Sequence, residues 1–218
     1  MPSERSEKNE IELPNTGGVF YRCFRVFTRI VYKLLGGTST GAELVPKEGR
    51  AFFASNHTGL LEPFWIHVCI PRTHISIVSK KELFQKQPLT WFMTQVGAFW
   101  IDRANPGRRL FQLCKATFDS GCDLLMFPQG TRCKVFSRES FKPGLGHLAS
   151  SNEVMVVPVY YEGFRDPITG RFRRLSVRFG APIMPFGSDG KLKSKQQIED
   201  EVYRAILQME LETEMRRR

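Results

Sequence analysis

The sequence R-A-F-F-A-S-N-H-T-G-L-L-E-P, residues 50–63, contains a change from one kind of local structure to another. Its first six residues form a short apolar run with the length and composition of a buried β-strand. The turn-forming residues 56–59 follow, and from about Leu60 the pattern predicts a helix. The polar side chains of Asn56 and His57 are therefore expected directly after the end of a buried strand.

The same alternation continues along the rest of the chain. Further strands are predicted in the hydrophobic run 96–101 and at residues 123–127, 154–160 and 175–179. Helices are predicted at residues 110–120, 144–151 and 194–218, the last with an apolar stripe of Ile198, Val202, Ile206 and Met209. Strands that alternate with helices predict an α/β fold with a mixed, largely parallel central sheet flanked by helices.

The N-terminal part differs from this pattern. We predict a flexible lead at residues 1–16, an amphipathic helix at residues 17–37 and a single domain at residues 38–218. Four cations recur in the helix at steps of three and four residues: Arg22, Arg25, Arg29 and Lys33. Bulky apolar residues recur with the same period on the opposing side: Phe20, Phe24, Phe27, Val31 and Leu34. Such a helix suits an anionic membrane surface, and the alternative is a helix packed on its own domain with a solvated basic face.

Composition narrows the class of partner. The 218-residue chain has a formal net charge of +10, which favours an anionic membrane, a phosphorylated substrate or nucleic acid. The five cysteines include no C-x-x-C pair and no zinc-ligand spacing, so reduced thiols and no bound metal are expected. The N-terminus does not resemble a secretory signal, and no run reaches the ~20 apolar residues that span a bilayer. With the basic helix, these features predict a peripheral protein at the cytoplasmic face of a membrane.

Three polar sequences follow predicted strands: residues 56–63, F-W-I-D-R at 99–103 and F-P-Q-G-T-R at 127–132. Ligands gather at the carboxyl ends of strands in such sheets. His57 can act as a base near neutral pH where a carboxylate orients its ring, and Glu62 is the candidate. Residues five apart in a continuous helix point about 140° apart, so these side chains can pair only across a turn, which residues 56–59 provide. Taken alone, a histidine near a glutamate is more often structural.

Together the three sequences resemble the motifs of the glycerolipid acyltransferase family, which includes the 1-acylglycerol-3-phosphate acyltransferases. Residues 56–62 match N-H-x-x-x-x-D except that Glu62 replaces the aspartate, and residues 97–103 match G-x-x-F-I-x-R with a one-residue shift. Residues 127–132 match F-P-E-G-T-R except at Gln129, and residues 157–159 match a V-P-V strand. The resemblance runs in order from about residue 40 to residue 185.

The resemblance implies an O-acyltransferase that needs no cofactor. It would move a fatty acyl chain from acyl-CoA or acyl carrier protein to a hydroxyl of lysophosphatidic acid or a related lysophospholipid. His57 would deprotonate that hydroxyl, Glu62 would hold the imidazole, and no acyl-enzyme is implied.

The resemblance also implies a substrate-binding set. Arg103 and Arg132 would grip the phosphate of the acceptor, because a guanidinium can bind phosphate through two hydrogen bonds. Gly130 would allow the backbone to approach closely, Thr131 would add a hydroxyl donor, and Gln129 belongs to the same loop.

The two departures from the motifs leave alternatives open. Glu62 is one methylene longer than aspartate, and we expect activity to survive that change. Gln129 lacks the charge of glutamate, so weaker catalysis or another acceptor can follow, such as glycerol-3-phosphate or another lysolipid. A catalytically silent lipid-binding protein is a second hypothesis, supported mainly by Gln129. A nucleic-acid binder is a third, but the sequence shows no nucleic-acid-binding motif and we do not expect that partner.

Overall fold

The computed structural model describes residues 13–102, 107–133, 135–165 and 172–216. Within these ranges the strands are β1 (Thr38–Thr40), β2 (Ala51–Ser55), β3 (Ile75–Lys80), β4 (Ala98–Ile101), β5 (Asp123–Met126), β6 (Met155–Arg165) and β7 (Phe172–Phe179). The α-helices are α1 (Val19–Leu34), α2 (Glu62–Cys69), α3 (Leu89–Gln95), α4 (Gly107–Asp119), α5 (Leu145–Asn152) and α6 (Lys195–Met215). Short 3₁₀ turns at Ala42–Leu44 and Lys81–Phe84 complete the described elements.

In the described parts of the chain the strands form one sheet in the order β1-β7-β6-β2-β5-β3-β4. Strand β2 pairs in parallel with β5 on one side and with β6 on the other. Strand β3 pairs in parallel with β5 and β4, and β1 pairs in parallel with β7, whereas β6 and β7 are antiparallel. The prediction of a mixed, largely parallel sheet flanked by helices is confirmed.

Helices cover both faces of the sheet at β2. Successive side chains of a strand point to opposite faces, and all five residues of β2 are buried. Phe53 packs in a core with Ile66 of α2, whereas Phe52 packs in a second core with Phe118 of α4 and Ile206 of α6. Burial on both faces explains why β2 reads as a continuous apolar run rather than an alternating one.

Helix α6 begins at a capping box. The hydroxyl of Ser194 accepts a hydrogen bond from the backbone N–H of Gln197, whose side chain accepts one from the backbone N–H of Ser194. This pairing satisfies donors that the first turn of a helix leaves free. The four residues of the predicted apolar stripe are all buried, so that stripe is confirmed.

Helix α1 lies within the predicted range 17–37, but its apolar face differs from the prediction. Phe24 and Val31 are half-buried against the domain, where Phe24 contacts Phe64 of α2. The exposed apolar side chains form a stripe that is shifted around the helix and keeps only Phe27 and Leu34 of the predicted face. Its members are between 53% and 81% exposed: Val19, Val26, Phe27, Ile30 and Leu34.

The basic side of α1 also differs from the prediction of a single solvated face. Arg25 and Arg29 donate hydrogen bonds to backbone carbonyls at the end of α2 and in the loop that follows it. Arg22 and Lys33 are exposed. The cations of α1 therefore divide into two that hold the helix on the domain and two that face outward.

The predicted N-terminal lead, residues 1–16, is described only from residue 13. Thr16 is buried, and its hydroxyl oxygen lies 3.2 Å from Sγ of Cys122, just before β5. The end of this segment is therefore packed on the domain. No helix in the described ranges is both long and apolar enough to cross a bilayer.

Candidate active site

His57 lies at the edge of the sheet where the parallel strands β2 and β5 end. The register pairs Phe53 with Leu125 and Ala54 with Met126, so the chain leaves both strands at the same level. The two loops that follow these strands are consequently neighbours. The ring of His57 stacks on Phe127, with the ring centroids 4.3 Å apart and 26° between the ring planes.

The imidazole of His57 pairs with Glu62. Nδ1 of His57 forms a hydrogen bond with Oε1 of Glu62, the first residue of α2, across the non-helical residues 56–59. An ionised carboxylate only accepts hydrogen bonds, so Nδ1 carries the proton and Nε2 keeps its lone pair. The side chain of His57 is 10% exposed and that of Glu62 is fully buried, so the imidazole alone connects this pair to solvent.

The turn before α2 holds the carboxylate of Glu62 in place. The backbone N–H of Thr58 donates to Oε2 at 2.8 Å, the hydroxyl of Thr58 donates at 2.9 Å, and the backbone N–H of Gly59 donates at 2.7 Å. Such bonds fix the orientation of the carboxylate. Burial, and secondly the charge of Glu62, raises the pKa of Tyr161, so this neighbouring phenol stays protonated.

Gln129 is buried behind His57. Its Oε1 accepts a hydrogen bond from the backbone N–H of His57 at 2.8 Å, and its Nε2 donates to Oγ of Ser140 at 3.1 Å. Both ends of the amide are thus bonded within the protein, although the sequence prediction places Gln129 among the groups that contact substrate. In the structure it joins the loop after β5 to the backbone of His57.

Gly130 forms a tight turn directly after Gln129. Its φ is +66°, a left-handed conformation that favours glycine, and its N–H donates to the carbonyl of Phe127 at 2.9 Å. A Cβ at this position would lie 3.0 Å from Cδ of Lys142. The turn therefore needs glycine for its backbone conformation.

The remaining predicted residues lie beyond this turn or outside the described ranges. The backbone N–H of Cys133 donates to the carbonyl of His57 at 2.8 Å, which brings the chain back beside the histidine. Thr131 and Arg132 come just before that contact and are exposed. Arg103 lies outside the described residues.

Asn56 fixes the end of β2 in a way that the sequence analysis did not predict. Its Nδ2 donates to the carbonyl of Tyr161 at 2.9 Å, and its Oδ1 accepts from the backbone N–H of Tyr161 at 2.8 Å. The amide thus bonds both backbone groups of one residue in β6. A buried asparagine next to a candidate base is the signal that could have indicated such a role.

An apolar pocket adjoins the stacked ring of Phe127. It lies at the carboxyl ends of β3, β4 and β5, and its lining is mainly apolar: Val78, Ile101, Leu110, Met126, Phe127 and Leu148. Gly130 and Lys142 also line it. Phe127 contacts both the pocket and the imidazole, so the pocket adjoins His57. Within the described ranges no three His, Cys, Asp or Glu side chains are grouped so that they could hold a metal ion.

Comparison with known proteins identifies the family of the chain. A family model described as Acyltransferase matches residues 38–162. The chain is 28% identical over 136 residues to a 1-acyl-sn-glycerol-3-phosphate acyltransferase of Bacillus subtilis, a match that covers 62% of this chain and 67% of the relative. It is 27% identical over 165 residues to a protein of the same name from Cocos nucifera, covering 71% of this chain but only 53% of the relative's length.

A solved structure shows the same fold. The crystal structure of the 1-acyl-sn-glycerophosphate acyltransferase PlsC from Thermotoga maritima superposes with a TM-score of 0.64 and 21% sequence identity, covering 87% of this chain and 79% of that one. The matched family segment begins at β1 and ends within β6, so it contains His57, Glu62 and the loop after β5. The chain belongs to the acyltransferase family.

Proposed function

We propose that this chain transfers an acyl group from a thioester to the hydroxyl of lysophosphatidic acid or a related lysophospholipid. The observation that carries the proposal is the His57–Glu62 pair beside an apolar pocket, inside the segment that matches the acyltransferase family. The names of the bacterial and plant relatives support 1-acylglycerol-3-phosphate as the acceptor.

The geometry suits direct transfer with His57 as the base. Nε2 of His57 removes the proton of the acceptor hydroxyl as the hydroxyl oxygen attacks the thioester carbonyl carbon. The carbon–sulfur bond then breaks, and the thiolate takes the proton back from Nε2. Glu62 stabilises the imidazolium between these two steps through its bond with Nδ1.

The two substrates have distinct surroundings in this proposal. The apolar pocket takes an acyl chain, because its lining offers carbon atoms and few polar groups. Thr131 and Arg132 are exposed beside the returning backbone at Cys133, where they suit the phosphate of the acceptor. Arg103 keeps its predicted role in the same phosphate contact.

An anionic membrane surface is the proposed location of the acceptor. The exposed apolar stripe of α1 would enter the acyl boundary, and the outward-facing Arg22 and Lys33 would meet lipid phosphates. The helix has no acidic residue that would oppose this contact. The protein would then act at the face of the membrane that is exposed to the cytoplasm.

The test is to incubate purified protein with labelled acyl-CoA or acyl carrier protein and a panel of acceptors, and to identify the products by mass spectrometry. We expect the acyl chain to appear on lysophosphatidic acid or another lysophospholipid. Transfer to glycerol-3-phosphate alone would reassign the acceptor to that alternative. Binding of lysolipid without any acylated product would favour the catalytically silent lipid-binding protein and contradict the proposal.

A further inference from the structure

The catalytic carboxylate sits at one end of a short helix whose other end is held by α1. Helix α2 has eight residues, and Glu62 occupies its first position. The last carbonyls of a helix have no partner within it and need donors from elsewhere. A displacement of one end of so short and stiff a helix moves the other end as well.

Two arginines of α1 supply those donors. Arg29 binds the carbonyl of Val68 with both Nε at 3.0 Å and Nη2 at 2.7 Å. Arg25 donates from Nη2 to the carbonyl of Ile70 at 3.1 Å, directly after the helix. Positive side chains at this end also interact favourably with the helix dipole.

Buried contacts between α1 and α2 reinforce these bonds. Phe24 packs edge-on against Phe64 with ring centroids 5.5 Å apart. The hydroxyl of Tyr21 lies 2.8 Å from Nε2 of His67, and both residues are buried. Helix α1 therefore contacts α2 along most of its length, whereas the chemistry proposed for His57 uses no residue of α1.

We propose that Arg29 is a positioning residue for Glu62, acting through α2. This inference rests on the proposed function, in which the carboxylate must meet Nδ1 of His57. The bond between these groups spans one turn of irregular backbone, and a misplacement of about 1 Å can cost on the order of 10²-fold in rate. The contact of α1 with the end of α2 thus determines the geometry of the His57–Glu62 pair about 12 Å away.

The experiment compares Arg29→Ala with a matched control, Arg178→Ala. Arg178 also binds the C-terminal half of a helix, since its Nη1 donates to the carbonyl of Met209 at 3.0 Å and its Nη2 to Glu212 at 2.6 Å, both in α6, which carries no residue of the pair. We expect Arg29→Ala to lower kcat about tenfold or more with little change in either KM. Arg29→Lys keeps one donor and should recover part of the loss. Arg178→Ala should leave kcat unchanged.

A double-mutant cycle shows whether Arg29 acts through Glu62. In a Glu62→Gln background, Arg29→Ala should lower the residual rate by much less than it does in the native chain. An equal factor in both backgrounds, or the same loss of kcat in the Arg178→Ala control, would overturn the proposal.

Nuclear magnetic resonance of the labelled histidine rings gives a readout that does not depend on activity. The Nδ1 proton of His57 that is shared with Glu62 is assigned by its loss in Glu62→Gln. We expect it to shift or broaden in Arg29→Ala and to stay unchanged in Arg178→Ala. An unchanged signal in Arg29→Ala overturns the positioning role, whereas absence of acyl transfer in the native chain would count against the proposed function alone.

Discussion

Glu62 is one methylene longer than the aspartate of the motif that its surroundings resemble, and its environment uses that length. The side chain reaches from the first residue of α2 to the turn before it, where it meets His57, Thr58 and Gly59 at once. These contacts hold the carboxylate in one position. The charge of the carboxylate and its position therefore contribute separately to the proposed catalysis, and each contribution can be tested.

Replacement of Glu62 by Gln and by Asp distinguishes charge from length. Glu62→Gln keeps the length but cannot stabilise the imidazolium, so we expect kcat to fall about 10²–10⁴-fold, the usual scale for general-base catalysis. Glu62→Asp keeps the charge and should retain at least about ten times the activity of the Gln variant. Steady-state rates with saturating substrates measure both. Equal losses of kcat in the two variants would show that the charge of the side chain at position 62 does not determine the rate.

Gln129 joins two parts of the protein through hydrogen bonds of its side-chain amide. Its replacement therefore tests its effect on stability first and its effect on the rate second. Gln129→Leu leaves the buried N–H of His57 without an acceptor, which should cost about 1–3 kcal/mol of unfolding free energy. Gln129→Glu keeps that acceptor and restores the carboxylate of the motif, so we expect a melting temperature and a rate near those of the native chain. Thermal unfolding and kcat measure the two effects. A Leu variant as stable as the native chain would contradict this role.

The sequence predicted which residues lie at this edge of the sheet better than it predicted the contacts that their side chains make. Parallel strands end at the same edge of a sheet, so the placement of residues 56–59 and 127–130 at that edge followed from the strand assignment. The pairing of β2 with β5, which makes these residues neighbours, is seen only in the structure. The direction in which each side chain points depends on backbone turns that composition does not encode. The inward amide of Gln129 and its bond to Ser140 were therefore not predictable.

The elements differ in how well their sequence patterns identified them. Strand β2 and helix α6 were predicted to within a few residues, because an apolar run between turns and a long apolar stripe are strong signals. Strands β1 and β3 and helix α3 were not predicted. Strand β1 has only three residues, of sequence T-S-T, and is defined by its partner β7 rather than by its own pattern. Helix α3 has seven residues, too few for its periodicity to stand out.

At the level of elements, α1 presents solvent-exposed and domain-facing sides that can be altered independently. We predict that the double variant Arg22→Glu with Lys33→Glu binds anionic vesicles more weakly, by about 1 kcal/mol or more per site, because these cations face outward. Its melting temperature should not change, since the domain-facing Arg25 and Arg29 remain. Vesicle sedimentation at low and high salt measures the binding.

Neutral vesicles and an apolar variant provide the controls for α1. Phe27→Ser with Ile30→Ser removes part of the exposed stripe and should weaken binding to both neutral and anionic vesicles. Binding to anionic vesicles that neither pair of substitutions alters would show that α1 does not contact the membrane.

At the scale of the whole molecule, stability depends on pH through a buried histidine between α1, α2 and β3. His67 faces Tyr21 and Arg25 of α1 and the backbone of Ile75, and burial, followed by the charge of Arg25, holds its pKa well below the ordinary value. The folded protein therefore resists protonation of this ring. The contribution of the neutral His67 ring to the free energy of unfolding is complete above pH ~6.5. It falls as the pH drops below that value, because the unfolded chain then binds one more proton than the folded protein.

The variant His67→Gln tests this pH dependence. Between pH ~6.5 and the onset of acid unfolding, the unfolding free energy of the native chain should fall more steeply than that of the variant, by up to about 1.4 kcal/mol per pH unit. Denaturant titrations at several pH values give both slopes, and the remaining histidines contribute equally to each. Parallel slopes would mean that His67 does not resist protonation in the folded protein.

The site as a whole is assembled from segments far apart in the sequence: the turn after β2, the loop after β5, and Tyr161 in β6. Glu62 binds Nδ1 of the imidazole of His57, Phe127 stacks on the ring, and Gln129 bonds the backbone of the same residue. Nε2 of His57 is the nitrogen that we propose as the base for acyl transfer.

The most direct measurement is the rate of acyl transfer from a labelled thioester to lysophosphatidic acid by the native chain and by His57→Ala, with thermal unfolding recorded for both. We predict that the variant loses at least about 10²-fold in rate. Its melting temperature should stay close to that of the native chain, because Thr58 and Gly59 still donate hydrogen bonds to the carboxylate of Glu62 when the ring is removed. A folded His57→Ala protein that keeps more than about a tenth of the native rate would contradict the assignment of His57 as the base.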